Sequence, residues 1–528
     1  MRSTFLTHRR HVLGLSLLLG LVVALAACTG PTPSIVVALS GASTAVVRGS
    51  TVDVTVSLTR MGGAADPADL SISGLPANVG ASFAPAVLAG ATLESTLTID
   101  ADALAAEDTV VLTITAAMGA LSDEADLSLE ITSLSITGRV EGMLGLPLSG
   151  LPVSSQGASV FTDANGEFTL DGLAVPYDLA VSTAVSSGGL HVFEGMTSTT
   201  PVVSPFFSLL LLSPSNVTTV DGDVIGGAAL AANEVVVVCL EGIDVVVIGC
   251  DRLTSGETAY AVTANWFEPG DATVRVHALY FTLGGDDTPA AYQGYDSFET
   301  VISGGGPTNQ DLTFEPVAAQ SVTATIAPAV GVTLSGTLSY ARFGPNLAMP
   351  LFQTVAPDTD IDVLMPALPG MTYDFVAGAS GASGSSLAWL RGVDTDGGTM
   401  TVPAPAQLLA PADAQVGVNL TTTFSASTDG GPQTFYWTPS GAGPQFALTT
   451  MRTAVRLPDP ALGGFAFPDG SDYGWLVTGI GGTDVDDAAA RGITEYWELI
   501  TYVDDGGPGL ASDGQFTIST DRSFQFAP

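Results

Sequence analysis

The stretch Thr51-Val-Asp-Val-Thr-Val-Ser-Leu58 alternates polar and apolar residues without a break. That is the period of a strand with one face buried. The pattern returns in Thr96-Leu-Thr-Ile99, Val110-Val-Leu-Thr-Ile-Thr115 and Ala272-Thr-Val-Arg-Val-His-Ala278. Long amphipathic patterns of helical period are scarce, and a period of two cannot line one face of a helix. Val, Thr, Ser and Ala dominate, while 61 Gly and 32 Pro punctuate the runs. This is the composition of many short strands joined by turns. A chain of 528 residues has room for about three to five domains. The expected fold class is all-β, in tandem β-sandwich domains.

The charge balance limits the partners. There is no lysine; the 14 basic residues are all arginine, against 53 acidic ones. Such a surface repels phosphate backbones, so no nucleic-acid partner is expected, and it repels anionic membrane surfaces as well. The acidic excess suits solubility, weak cation binding or a salty habitat.

At the N-terminus a basic start (Arg2, Arg9, Arg10) leads into a charge-free, mostly apolar run over 13–27, ending Leu25-Ala26-Ala27-Cys28. The run falls short of the about 20 apolar residues of a membrane span and has the parts of a secretory signal. With the cysteine directly after Leu-Ala-Ala, it resembles a bacterial lipoprotein signal. The resemblance implies cleavage before Cys28, a diacylglycerol on its sulfur and a membrane tether through that lipid. Thr29, where an aspartate would mark inner-membrane retention in some bacteria, points to the outer membrane or cell surface. An ordinary signal peptide is the alternative.

After a tether at 28–34, residues 35–133 have the size of one immunoglobulin-like sandwich. Ile72-Ser-Gly-Leu-Pro-Ala-Asn-Val-Gly-Ala-Ser-Phe83 resembles Ig-like repeats of bacterial surface proteins, without the cysteine and tryptophan marks of antibody domains. Residues 135–206 contain Ile136-Thr-Gly-Arg-Val140, Pro147-Leu-Ser-Gly-Leu-Pro-Val153 and Val160-Phe-Thr-Asp-Ala-Asn-Gly-Glu-Phe-Thr-Leu170. They resemble a carboxypeptidase regulatory-like domain, a transthyretin-like sandwich that accompanies enzymes without being one. Residues 207–316 and 317–403 are strand-rich and form either two domains or one larger sandwich. Beyond Pro403-Ala-Pro405, residues 406–528 resemble a fibronectin III-like β domain through 409–413, 417–418, 423–424 and 436–437. The acidic insertions at 481–492 and 504–514 are expected as surface loops.

If Cys28 carries lipid, Cys239 and Cys250 remain as a disulfide candidate. Strands are expected at 234–239 and 244–248. A two-residue turn at Glu241-Gly242 would leave Cys250 about six residues, roughly 20 Å, along the ladder from Cys239. A disulfide needs Cα atoms within about 7 Å. Either the second segment folds back differently or the cysteines stay apart; the disulfide is the expectation, and the tight hairpin is not.

Catalytic signatures are scarce. Beyond the leader only His191 and His277 remain, and His277 sits in an alternating strand, as a structural histidine would. There is no Gly-x-Ser-x-Gly elbow, and Gly378-Ala-Ser-Gly-Ala-Ser-Gly384 reads as a flexible loop. No His-Glu-x-x-His occurs, and the lack of lysine excludes a P-loop. The chain is not expected to be an enzyme or to carry a cofactor. Calcium is the cation these carboxylates would suit, at Asp394 and Asp396 or at Asp484 and Asp486, with Asp504-Asp505 behind them. None fits a twelve-residue EF-hand loop, and solvated acidic turns are the plainer reading. Trp437, Trp475 and Trp497 could stack on sugars if exposed, although core positions are expected. The expected role is a non-catalytic, lipid-anchored scaffold or display stalk of the cell envelope that holds its C-terminal region outward. The alternative is a carbohydrate- or protein-binding lipoprotein, with its site in the loops of 406–528 and an envelope protein or polysaccharide as partner.

Overall fold

The computed structural model describes residues 32–527 except 143–144, 184–187, 207–214, 286, 305, 307, 345, 356–358, 428–429, 442, 481–483 and 492–512. The leader, Cys28, Thr29, Trp497 and Asp504-Asp505 therefore lie outside the described residues. The chain divides into two compact units, Met1–Leu134 with Gly172–Pro176, and Ser135–Asp171 with Tyr177–Pro528.

The first unit is an Ig-like sandwich of a four-stranded and a five-stranded sheet. Its first strand is divided. Ser34–Leu39 pairs antiparallel with Ser50–Met61 in one sheet, and Ser43–Val47 then pairs parallel with Leu121–Thr132 in the other. One sheet has the A-B-E-D order of the Ig fold and the other contains its G-F-C order. The alternation of Thr51–Leu58 sets the interior: Val54, Val56 and Leu58 are buried while Thr51, Asp53 and Thr55 face water. They meet Leu97, Ile99, Leu112, Ile114, Leu127 and Leu129 in one core. Aliphatic burial at about 1.5–3 kcal/mol per side chain holds the sheets together where antibody domains place a disulfide.

The second unit contains four further sandwiches. In the first of these, Asp163 accepts bonds from the backbone N–H groups of Asn165 and Glu167, and Gly166 takes φ +73°. This turn carries the chain from Ala158–Phe161 in one sheet to Glu167–Leu173 in the other, where Phe168 and Leu170 enter the core. Residues 207–316 build two four-stranded sheets of their own. Residues 317–403 and 406–528 each pair a three-stranded sheet with a share of one much longer sheet.

Among the described residues that long sheet has fourteen strands and runs through three of the four sandwiches. At one seam Gly189–Met196 pairs parallel with Gln445–Thr450, from Gly189 opposite Gln445 to Phe193 opposite Thr449. At the other, Gly384–Val393 pairs antiparallel with Gly514–Ser519, from Gly384 opposite Ser519 to Trp389 opposite Gly514. The glycines ending this second ladder are there for space. A Cβ on Gly384 would lie 2.0 Å from the Ile518 carbonyl oxygen, and one on Gly514 would lie 2.3 Å from the Trp389 ring. The C-terminal strands thus sit between those of 135–206 and 317–403, and not at the end of a row. Edge strands that would otherwise expose unpaired backbone groups are satisfied by one another.

Several sequence expectations are corrected. Gly378–Gly384 is no flexible loop: Thr372–Gly381 and Gly384–Val393 form a hairpin with Gly381 opposite Gly384. The acidic stretch near 485 is helical over Val485–Arg491. Asp484 accepts from the Asp487 N–H at its start, carboxylates occupy the first turn and Arg491 the last, a placement that suits the helix dipole. Near the end of 207–316, Thr308–Asn309 pairs parallel with Asn216–Asp223.

Candidate functional site

The strand Glu234–Gly242, EVVVVCLEG, is buried along nearly its whole length, as a continuous apolar run in a central strand should be. Val236, Val238 and Leu240 face the core of their own sandwich with Val262 and Trp266. Val235, Val237 and Cys239 face the other way, into a core shared with Val322, Ile326, Met349, Leu351 and Phe375 of 317–403. Residues 207–316 and 317–403 thus form separate sheets that share one core.

On this shared face the strand register lines up Cys250, Cys239, His277 and Ser297 across four strands. Cys239 and Cys250 form a disulfide, with Cα atoms 4.1 Å apart. The tight hairpin is absent, as expected. Of the strand expected at 244–248 only Val247–Ile248 forms, and it pairs with Ala259–Trp266 in the opposite sheet before the chain returns at Cys250. That excursion brings the cysteines into register.

Beside the disulfide is a buried polar chain. The His277 Nδ1 lies 2.8 Å from the Tyr295 hydroxyl and its Nε2 lies 3.1 Å from Glu241 Oε2. Arg275 reaches the same Glu241 oxygen at 3.4 Å and also pairs with Glu299. His277 is 3% exposed and Glu241 is 6% exposed. Phe343 of the neighbouring sandwich packs 4.3 Å from the imidazole centroid and stacks on Tyr295. Burial lowers the His277 pKa, the Glu241 hydrogen bond and charge oppose that shift, and Arg275 reinforces it. A tyrosine–histidine–carboxylate chain can relay protons, but these three do not line the cleft that opens beside Cys250. They join two sandwiches.

His191 has the same kind of role at the first seam. The Phe206 N–H donates to its Nδ1, so its Nε2 carries the proton and donates to Thr449 Oγ1 at 2.8 Å, with Thr434 Oγ1 a further 2.8 Å on. Burial pushes the His191 pKa down to about 3.

The four calcium candidates fall in two separate places. Asp394 lies in the exposed turn where the chain crosses between sheets, and Asp396, the first residue of the strand Asp396–Val402, accepts from the Gly398 N–H. Asp484 caps the helix, and Asp486 accepts from the N–H and hydroxyl of Thr197 and from the Ser198 N–H. Among the described residues no group of three or more metal-binding side chains converges. Trp437 and Trp475 are core residues, edge-on to Phe424 at centroid distances of 5.3 and 5.1 Å. Among the described residues no helix is long and apolar enough to cross a membrane. The residues that sequence reasoning missed, Glu241, Tyr295 and Phe343, lack a local signal, because they meet only when two sandwiches dock.

No family model matches the chain, and no curated protein matches it. Among solved structures, domains 5–6 of the surface-layer protein SbsC align at 14% identity over 53% of this chain and 100% of that one, with a TM-score of 0.15. The titin I-band fragment I67–I69 aligns at 8% identity over 71% and 98%, with a TM-score of 0.14. The four N-terminal Ig domains of Dscam1 align at 8% identity over 94% and 99%, with a TM-score of 0.13. At TM-scores this low the likeness carries no weight for this chain.

Proposed function

We propose that this chain is a non-catalytic structural protein of the cell envelope, a multi-sandwich scaffold tethered through lipidated Cys28. The observation that carries the reading is the fourteen-stranded sheet. Domains joined by linkers alone move independently by default, whereas here hydrogen-bonded seams tie three sandwiches together. The disulfide-bearing shared core ties in the fourth. Rigidity of this kind serves load-bearing or spacing better than turnover, which needs parts that open. The acidic surface keeps such a body soluble beside a membrane. Within this reading, 135–206 is a carboxypeptidase regulatory-like module used as a structural element.

The test is the intact mass and fractionation of the protein from its native host, beside a Cys28→Ser variant. An acylated chain beginning at Cys28 in the membrane fraction, lost from that fraction in the variant, is the expected result. An unmodified chain released to the medium in both cases would refute the tether.

A further inference from the structure

Where the sheet of Glu234–Gly242 and Cys250–Leu253 meets Val332–Arg342 and Ala348–Val355, the two walls part to leave a cleft of about 610 Å³. That volume lies within the range of small-molecule sites. The floor is apolar, with Val235, Val237, Leu351 and Phe352 all buried. The rim carries Arg252, Thr254, Asp287 and Gln353, open to water.

Arg252 is held in place. Its Nη1 donates to the Leu351 carbonyl at 2.5 Å, and its guanidinium carbon lies 5.9 Å from the Phe281 ring centroid. Leu351 is the extra residue where the ladder passes from Ser339 opposite Phe352 to Tyr340 opposite Pro350, so its carbonyl points out of the ladder. Bulge, proline and guanidinium together blunt this strand edge against an added peptide strand.

We propose that the cleft is a binding site for a neutral saccharide. An anion drawn to Arg252 would also meet the Asp287 carboxylate and the field of a chain with 53 acidic residues. A cation would meet the fixed guanidinium. A neutral polyol avoids both penalties: its hydroxyls donate to carboxylates and accept from guanidinium and amide N–H groups. The C–H face of a sugar ring then covers the apolar floor. The site lies away from the loops of 406–528, and its failure would leave the scaffold reading standing, since that rests on the seams.

The experiment is calorimetry and saturation-transfer NMR on the mature chain with maltose, cellobiose, lactose and N,N′-diacetylchitobiose, each to about 20 mM. Laurate and spermidine serve as the anionic and cationic probes. At least one disaccharide is expected to bind with a dissociation constant of about 1 mM or below. Affinity should fall about tenfold or more in Arg252→Met and in Gln353→Ala, with the melting temperature of Gln353→Ala unchanged. Binding of none of the four, binding indifferent to Gln353→Ala, or binding of laurate or spermidine alone would overturn the proposal.

Discussion

His191 and His277 are buried as neutral bases, and both are held below the ordinary histidine pKa of about 6.5. A group whose pKa is depressed on folding binds protons first in the unfolded chain, so the stability it supports is complete above pH ~6.5 and declines as pH falls. For His191 the decline extends down to about 3. Between pH 6.5 and 5 it should cost roughly 1–2 kcal/mol. Denaturant melts at the two pH values, compared with those of His191→Gln, measure this; an equal pH slope in the variant would refute it. At this scale much was legible in the sequence. The alternation at Thr51–Leu58 set which side chains are buried, and the misfit of a tight hairpin signalled that Cys250 must return by another path. The path itself was not legible, because Val247–Ile248 pairs with a strand that follows it in the chain.

At the scale of strands, the Gly384–Val393 seam depends on backbone approach. Gly514→Val would drive a branched side chain into the buried Trp389 ring and should destabilise by about 1–3 kcal/mol. Gly441→Ala, which meets open space, is the control and should leave the unfolding midpoint within error. Replacing both Cys239 and Cys250 with Ala should cost about 2–4 kcal/mol, largely by freeing the unfolded chain, and 10 residues lie between the two cysteines. The check is the shift in urea midpoint, together with its disappearance when wild-type protein is compared under reductant. Strand existence was readable from local alternation, but strand partnership was not. Gly189–Met196 meets Gln445–Thr450 across some 250 residues, and a period of two says nothing about which edge lies alongside. The helix at Val485–Arg491 was missed because its seven residues are too short to show a period.

For the whole molecule the dominant long-range term is self-repulsion, from 53 acidic against 14 basic residues. Salt shortens its reach from about 30 Å at 0.01 M to about 3 Å at 1 M. The melting temperature should therefore rise with sodium chloride by on the order of 5 °C, most steeply below 0.15 M. Insensitivity to salt would mean that local pairs offset the charge.

The position of Gly514–Ser519 inside the long sheet also bears on the order of synthesis. A chain made from its N-terminus completes Gly189–Met196 and Gly384–Val393 long before the strands that cover their edges exist. Bare edges recruit other chains, so the nascent protein passes through a vulnerable interval that ends only when Gly514–Ser519 emerges. A chain stopped before 514 should scatter light as aggregates where the full chain stays clear. A sheet closed in this way registers how far synthesis has gone, since only a chain translated past Ser519 can cover the edge of Gly384–Val393.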